Sequence, residues 1–213
     1  MKGRLPFPVL HEDLDVIVVA KPAGMLTVRT RRGESATVEE YLNDYVRKGQ
    51  AKSRKRVYPV HRLDRETSGV MMFAKSEEVS EKFRSNWNAL TEKTYLARVE
   101  GKLASESGFF ESYLRDDPKT MKVSSVEDPR FGKLARTEWR RLSESAASTL
   151  VEVTLKSGRK NQIRVHFSEA GHPLVGDVKY GGRRAERLYL HSYRLRFKHP
   201  HSGRWLEFTE EWR

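Results

Sequence analysis

The apolar residues of this chain fall in short runs bounded by turn-forming residues. Val16 to Ala20 runs directly into Lys21-Pro22-Ala23-Gly24, and Val70 to Ala74 forms a second such run. From Leu150 to Leu155 the pattern alternates instead, with Val151, Val153 and Leu155 on one face, and Gly158 breaks it. Runs of this length bury as strands, because a helix of the same apolar content is longer and striped. None approaches the roughly 20 residues needed to cross a bilayer as a helix. Leu188 to Phe197 and Trp205 to Phe208 read as closing strands, and Tyr95, Ala97 and Val99 alternate as a half-buried strand does.

Helical signals are fewer. Thr37 and Glu40 have capping-box spacing ahead of Val38, Tyr41, Leu42 and Tyr45, with Gly49 placed to close the helix. Ser76 caps a second helix, where Glu77 and Glu78 suit the positive first turn and Val79, Phe83, Trp87 and Leu90 recur at helical spacing. A third runs from Asn161 to Ala170, capped by Gly171 with Pro173 beyond. The polar stretch from Gly101 to Arg136 reads as a hairpin with long loops. Strands outnumber helices without regular alternation, so the expectation is an α+β domain, a mixed and mainly antiparallel sheet with packed helices. At 213 residues, without repeat, linker or low-complexity tract, residues 1–213 read as a single domain.

Lys and Arg number 41 against 29 acidic residues, a net charge of +12. A surface of that sign attracts polyanions through counterion release, which points to nucleic acid ahead of an anionic membrane. There is no cysteine, which removes disulfides, thiolate metal sites and thiol nucleophiles together. Met1 to Pro6 holds no apolar segment of the signal-peptide kind. The expected compartment is the cytoplasm, with no membrane association, no obligatory protein partner and a monomeric state.

Two clusters carry chemistry. His61-Arg62-Leu63-Asp64-Arg65-Glu66-Thr67-Ser68-Gly69 precedes an apolar strand. An aspartate between Arg62 and Arg65 stays ionised and is able to act as a nucleophile. The plain alternative is a structural salt bridge beside a turn. The second cluster, Lys156-Ser157-Gly158-Arg159-Lys160-Asn161-Gln162-Ile163-Arg164-Val165-His166, feeds a basic turn into a helix start. Arg159 and Lys160 with exposed N–H groups suit a phosphate. Arg164, inside the helix, suits a bidentate pair with a carboxylate. A solvated basic helix is the plain alternative. The basic loop Lys52-Ser53-Arg54-Lys55-Arg56 serves solubility or phosphate contact equally well.

His61-Arg62-Leu63-Asp64 with Thr67-Ser68-Gly69 resembles the signature of the RluA-type pseudouridine synthases. His11-Glu12-Asp13 through Gly24, Lys93-Thr94-Tyr95, Gly158-Arg159 with Gln162 to His166, Gly171-His172-Pro173, Gly176-Asp177, Leu190-His191 and His199-Pro200 resemble further family motifs, in order along nearly the whole chain. Asn161 stands where the family usually has His. The first family strand begins near Val16, so no small N-terminal RNA-binding domain of the S4 type is expected, and the catalytic domain's own surface is left to recognise RNA.

The resemblance implies the pseudouridine synthase fold, its sheet and helices set around a catalytic cleft. It also implies isomerisation of uridine in ribosomal or transfer RNA stem-loops, without cofactor or catalytic metal. Asp64 becomes the catalytic carboxylate, either attacking C1′ or removing a proton from C2′. Arg164 resembles the arginine that pairs with this aspartate, and Tyr95 the tyrosine that stacks on the uracil and deprotonates C5. Arg62 resembles the residue that fills the gap left by a flipped base. Ile163 offers an apolar wall or ordinary core; His61, Arg65 and Lys21 are lesser candidates for phosphate or pocket contacts. Three rivals remain. One is a non-catalytic RNA-binding or ribosome-assembly protein. Another is a metal-dependent nuclease using Asp13, Asp15, Asp64 and histidines such as His199 and His201. The third is a synthase with an added RNA-chaperone role.

Overall fold

The computed structural model describes residues 5–30, 33, 36–48, 50 and 52–212. In chain order its elements begin with β1 (Val9–Glu12), β2 (Val16–Lys21), α1 (Val38–Arg47), β3 (Tyr58–Pro59), β4 (Ser68–Ala74) and α2 (Glu77–Leu90). There follow β5 (Thr91–Glu100), β6 (Ser107–Asp117), β7 (Lys122–Val126), β8 (Lys133–Glu144) and β9 (Ser148–Leu155). The last are α3 (Gln162–Glu169), β10 (Leu190–Lys198) and β11 (Trp205–Thr209). The class is α+β. The chain forms two compact units, one of Met1–Glu92 with Ser192–Arg213 and one of Lys93–His191.

In the first unit β2 is the buried heart of the sheet. It pairs antiparallel with β1 on one side and β4 on the other, in the register Val16↔Ala74 to Lys21↔Gly69. Every residue of β2 and β4 is buried, which is why both read as unbroken apolar runs rather than alternating ones. β3 also pairs with β4, and β11 pairs antiparallel with β10. α2 lays its apolar stripe on the core: Phe83 is fully buried against Phe197, edge to face at 5.8 Å, and Val79, Trp87 and Leu90 pack around it. Burying one such aromatic contributes about 1.5–3 kcal/mol. Ser76 caps α2 as expected, through its hydroxyl and the Val79 N–H. α1 starts on the Thr37–Glu40 capping box, and Lys48 in the left-handed conformation (φ 51°) ends it. Gly49, expected to close it, lies outside the described residues.

The second unit is an antiparallel sheet in the order β5-β9-β8-β6-β7. The stretch from Gly101 to Arg136 is therefore far more regular than expected. β6 and β8 pair over eight residues, from Ser107↔Arg140 to Leu114↔Lys133. Its irregular appearance in sequence has a physical cause: Phe109 is exposed on the same face of β6 as Glu111 and Arg115, so apolar residues do not mark the buried face alone. α3 packs Val165 against Leu114, Val123 and Ala135, and Phe167 edge to face on Phe110 at 5.1 Å.

Candidate active site

In the first unit, Asp64 follows Leu63 in the loop that leads into β4, and three residues at and just beyond the end of β2 fasten that loop. The Thr27 hydroxyl donates to the Leu63 carbonyl (3.0 Å) and accepts the Leu63 N–H (3.2 Å). The Gly24 N–H donates to the Arg65 carbonyl at 2.8 Å, and Lys21 Nζ donates to the same carbonyl at 3.0 Å. The Thr67 N–H closes a turn onto the Asp64 carbonyl at 3.2 Å. Leu63 and Thr67 are buried, whereas Asp64 is half-buried and Arg62 and Arg65 are exposed. The carboxylate thus rides on a backbone anchored immediately before and after it. Gly69 ends the motif at φ +112°, where any Cβ would collide with the Ser192 backbone.

Two of the lesser candidates turn inward. Lys21 is 1% exposed, and its ammonium gives hydrogen bonds to the Pro22, Met25 and Arg65 carbonyls at 2.9, 2.6 and 3.0 Å. An ammonium has three protons to donate, so this lysine holds the loop rather than a phosphate. The His61 ring accepts the Met72 N–H at Nε2 (3.1 Å) and stacks on Trp87 at 4.7 Å. That bond requires an unprotonated Nε2, which fits packing better than phosphate contact.

In the second unit Tyr95 stands on β5 opposite Val153 of β9 and is 7% exposed. Ile163 and Arg164 open α3 and are 4% and 7% exposed. The Arg164 fork closes on Asp177: Nε and Nη2 each donate to one carboxylate oxygen at 2.7 Å, and Asp177 is fully buried at its side chain. The sequence marked Arg164 for a bidentate pair but did not pick out Asp177 as a partner. The signal lay in Gly176-Asp177, an acidic residue in an otherwise small and apolar turn. Asn161 adopts φ 53° at the helix start; its side-chain oxygen lies 3.4 Å from Arg164 Nη1, and its amide donates to the Tyr180 hydroxyl at 2.9 Å.

The turn before α3 is built on Gln162. Its side-chain oxygen accepts from the Ser157 hydroxyl (2.8 Å) and the Arg159 N–H (3.0 Å), and its amide donates to Arg136 O and Thr137 Oγ1. Arg159 and Lys160 project from this fixed turn, Lys160 paired with Asp116 at 2.8 Å. Burial drives the Lys93 ammonium down to about 8 and depresses His166, whose ring nitrogens meet the Ser112 and Thr137 hydroxyls at 3.1 and 2.8 Å.

The nuclease reading fares poorly on donor chemistry. His199 Nε2 faces Asp13 at 3.1 Å, while its Nδ1 accepts the His201 and Ser202 N–H groups. Neither ring nitrogen is left to ligate a metal.

Residues 15–169 match the family model described as RNA pseudouridylate synthase. The chain belongs to the RNA pseudouridylate synthase family. Ribosomal large subunit pseudouridine synthase D of Nitrosomonas europaea is 33% identical over 93% of this chain and 60% of its own length. The tRNA pseudouridine synthase C of Pasteurella multocida is 35% identical over 90% of this chain and 86% of its own. Across several pseudouridine synthase relatives the chain spans 48–70% of their length. The solved structure of human RNA pseudouridylate synthase domain containing 4 matches 95% of this chain and 87% of its own, with TM-score 0.78 and 22% identity. At that identity the likeness speaks for the pseudouridine synthase fold alone.

Proposed function

We propose that this chain isomerises uridine to pseudouridine in structured RNA, with Asp64 as the catalytic carboxylate. The observation that carries the reading is the fastening of the Asp64 loop by Lys21, Gly24 and Thr27 in a chain of this family. A half-buried carboxylate held from both flanks is oriented before substrate arrives, and positioning supplies a large share of an enzymic barrier reduction.

The reaction breaks the bond from C1′ to N1 of uracil and forms one from C1′ to C5. A proton leaves C5 and one is gained at N1, so nothing is oxidised and no donor is consumed. Asp64 takes the ribose step, at C1′ or at the C2′ proton. Tyr95 stacks on the uracil and takes the C5 proton, and Arg164, aimed by Asp177, serves the carboxylate chemistry. Arg62, exposed beside Asp64, suits filling the stack left by a flipped base, since its guanidinium both stacks and pairs. Arg65, Arg159 and Lys160 contribute phosphate contacts, and Ile163 an apolar wall. Both units work as one catalytic domain in this reading. The substrate class is ribosomal or transfer RNA stem-loops, met by a monomer in the cytoplasm, without cofactor or metal ligands.

The test is pseudouridine mapping. RNA from a strain lacking the gene is incubated with the parent or with Asp64→Asn, and carbodiimide-dependent reverse-transcription stops are read. Sites that appear with the parent and vanish with Asp64→Asn are expected. Equal sites with both proteins remove Asp64 from the chemistry, and none with a folded, RNA-binding parent overturns the activity.

A further inference from the structure

The second unit holds a cleft of about 450 Å³ that none of the proposed chemical steps uses. Its floor is apolar, from Leu114 and Val123, which belong to the core under α3. Its walls are cationic: Arg115 from β6, Arg130 and Lys133 flanking the turn into β8, and Arg159 and Lys160 from the turn before α3. Asp116 is the single acidic residue among those lining it, and Lys160 already neutralises it. Phe131 stands at the rim 61% exposed, with the Arg130 guanidinium 5.7 Å from its ring centroid.

An exposed phenylalanine in a ring of cations is poorly explained by stability. The ring buries little, and although Asp128 and Asp116 offset Arg130 and Lys160, Arg115, Lys133 and Arg159 repel one another when nothing lies between them. The turn is nevertheless built with care. Asp128 takes the Arg130 backbone N–H and its guanidinium together, at 2.9 and 2.6 Å. Gly132 sits so close to Tyr113 and Val126 that a Cβ would come within 2.8 and 2.7 Å of their side chains. The backbone is pressed against β6 and β7 there, and Phe131 and Lys133 are presented on either side.

We propose that this cleft is an RNA subsite that takes an unpaired nucleotide, its base stacked on Phe131 and its flanking phosphates on Lys133, Arg115 and Arg159. A flat aromatic face with surrounding cations matches how single-stranded nucleic acid is held without base-specific hydrogen bonds. The volume falls within the ~300–1,000 Å³ range of small-ligand sites. An acidic peptide would use the cations but leave Phe131 without a purpose. The inference rests on the proposed reading of the chain as an RNA-modifying enzyme, and it concerns where RNA is gripped rather than where it is changed.

The experiment is fluorescence anisotropy of the full chain with a labelled single-stranded decauridylate, run beside the mapping assay. Phe131→Ala is expected to weaken binding about tenfold at fixed salt, as loss of one stacked base does. Lys133→Ala with Arg115→Ala is expected to lower the slope of log affinity against log salt by about 1.4, at ~0.7 per phosphate contact. An acidic peptide of equal charge separates the sources: competition as effective as that of the RNA overturns the proposal. Equal decauridylate binding by parent and both variants, or none by the parent, overturns it too. The two readings fail apart. Cleft-dependent binding without pseudouridine formation sinks the activity alone, and pseudouridine formation indifferent to the cleft variants sinks the subsite alone. Unfolding midpoints by urea keep the variants honest, since exposed side chains should shift them little.

Discussion

At the scale of single residues, the carboxylate proposed for catalysis depends on groups that do no chemistry. Thr27 is 2% exposed and its hydroxyl satisfies both backbone groups of Leu63. Thr27→Val keeps the shape and strands a buried N–H and a buried C=O. The expected loss is about 2 kcal/mol in urea unfolding, with kcat lowered about tenfold and KM little changed, because Asp64 follows directly. A variant with parental stability and kcat removes Thr27 from the positioning of the loop. Asp177→Asn is the matching change in the second unit. It leaves the Arg164 guanidinium, 7% exposed, facing an amide where a carboxylate had taken both arms of its fork. Breaking such a pair from one side costs about 3–5 kcal/mol; a loss below 1 kcal/mol in the same measurement contradicts that account.

At the scale of elements, apolar runs with local start and stop signals were legible and face-specific burial was not. β2 and β4 could be read because both their faces are covered, and α1 and α2 because Thr37 and Ser76 announce themselves through side-chain caps. The extent of β6 and β8, read as a hairpin with long loops, was not legible because Phe109, Glu111, Arg115 and Leu134 leave one face to solvent. The motif positions could be marked from resemblance. The inward turn of Lys21 and the Asp177 partner of Arg164 could not, since each depends on contacts made between distant stretches. The same elements set a pH dependence. His166 bridges Ser112 of β6 and Thr137 of β8, and burial holds it below its ordinary 6.5. Unfolding frees it to bind a proton, so its contribution is complete above 6.5 and is lost as pH falls below that. Lys93 on β5, lowered from 10.5 to about 8, acts at the other end. Its buried charge costs stability below about 8, and that cost is relieved as pH rises towards 10.5. Urea midpoints at pH 5, 7 and 10 should therefore show His166→Gln losing less than the parent between pH 7 and 5. Lys93→Met should lack the parent's relative gain between pH 7 and 10. Profiles parallel to the parent's at both ends refute the assignment.

At the scale of the whole molecule, under the proposed function charge decides how RNA is found before any residue decides what is done to it. The excess of cations, +12 over 213 residues, exceeds what the cleft and the Asp64 loop hold, so part of the attraction is diffuse. Counterion release makes each neutralised phosphate contribute a slope of about −0.7 to −0.9 in log affinity against log salt. A stem-loop touching about five phosphates should then bind two to three orders of magnitude more weakly at 200 mM salt than at 50 mM. Asp64→Asn should follow the same line as the parent, since it removes a negative charge and no cation, with at most a small upward offset from relieved repulsion. Turnover at saturating RNA should stay nearly flat over that range, because Lys21 and Thr27, which fasten the Asp64 loop, are buried and poorly screened. Filter binding and single-turnover rates on one stem-loop separate these quantities. A salt-insensitive affinity contradicts counterion release as the source of binding. A single-turnover rate that falls in step with affinity at saturating RNA contradicts the claim that the loop is already set in the free protein.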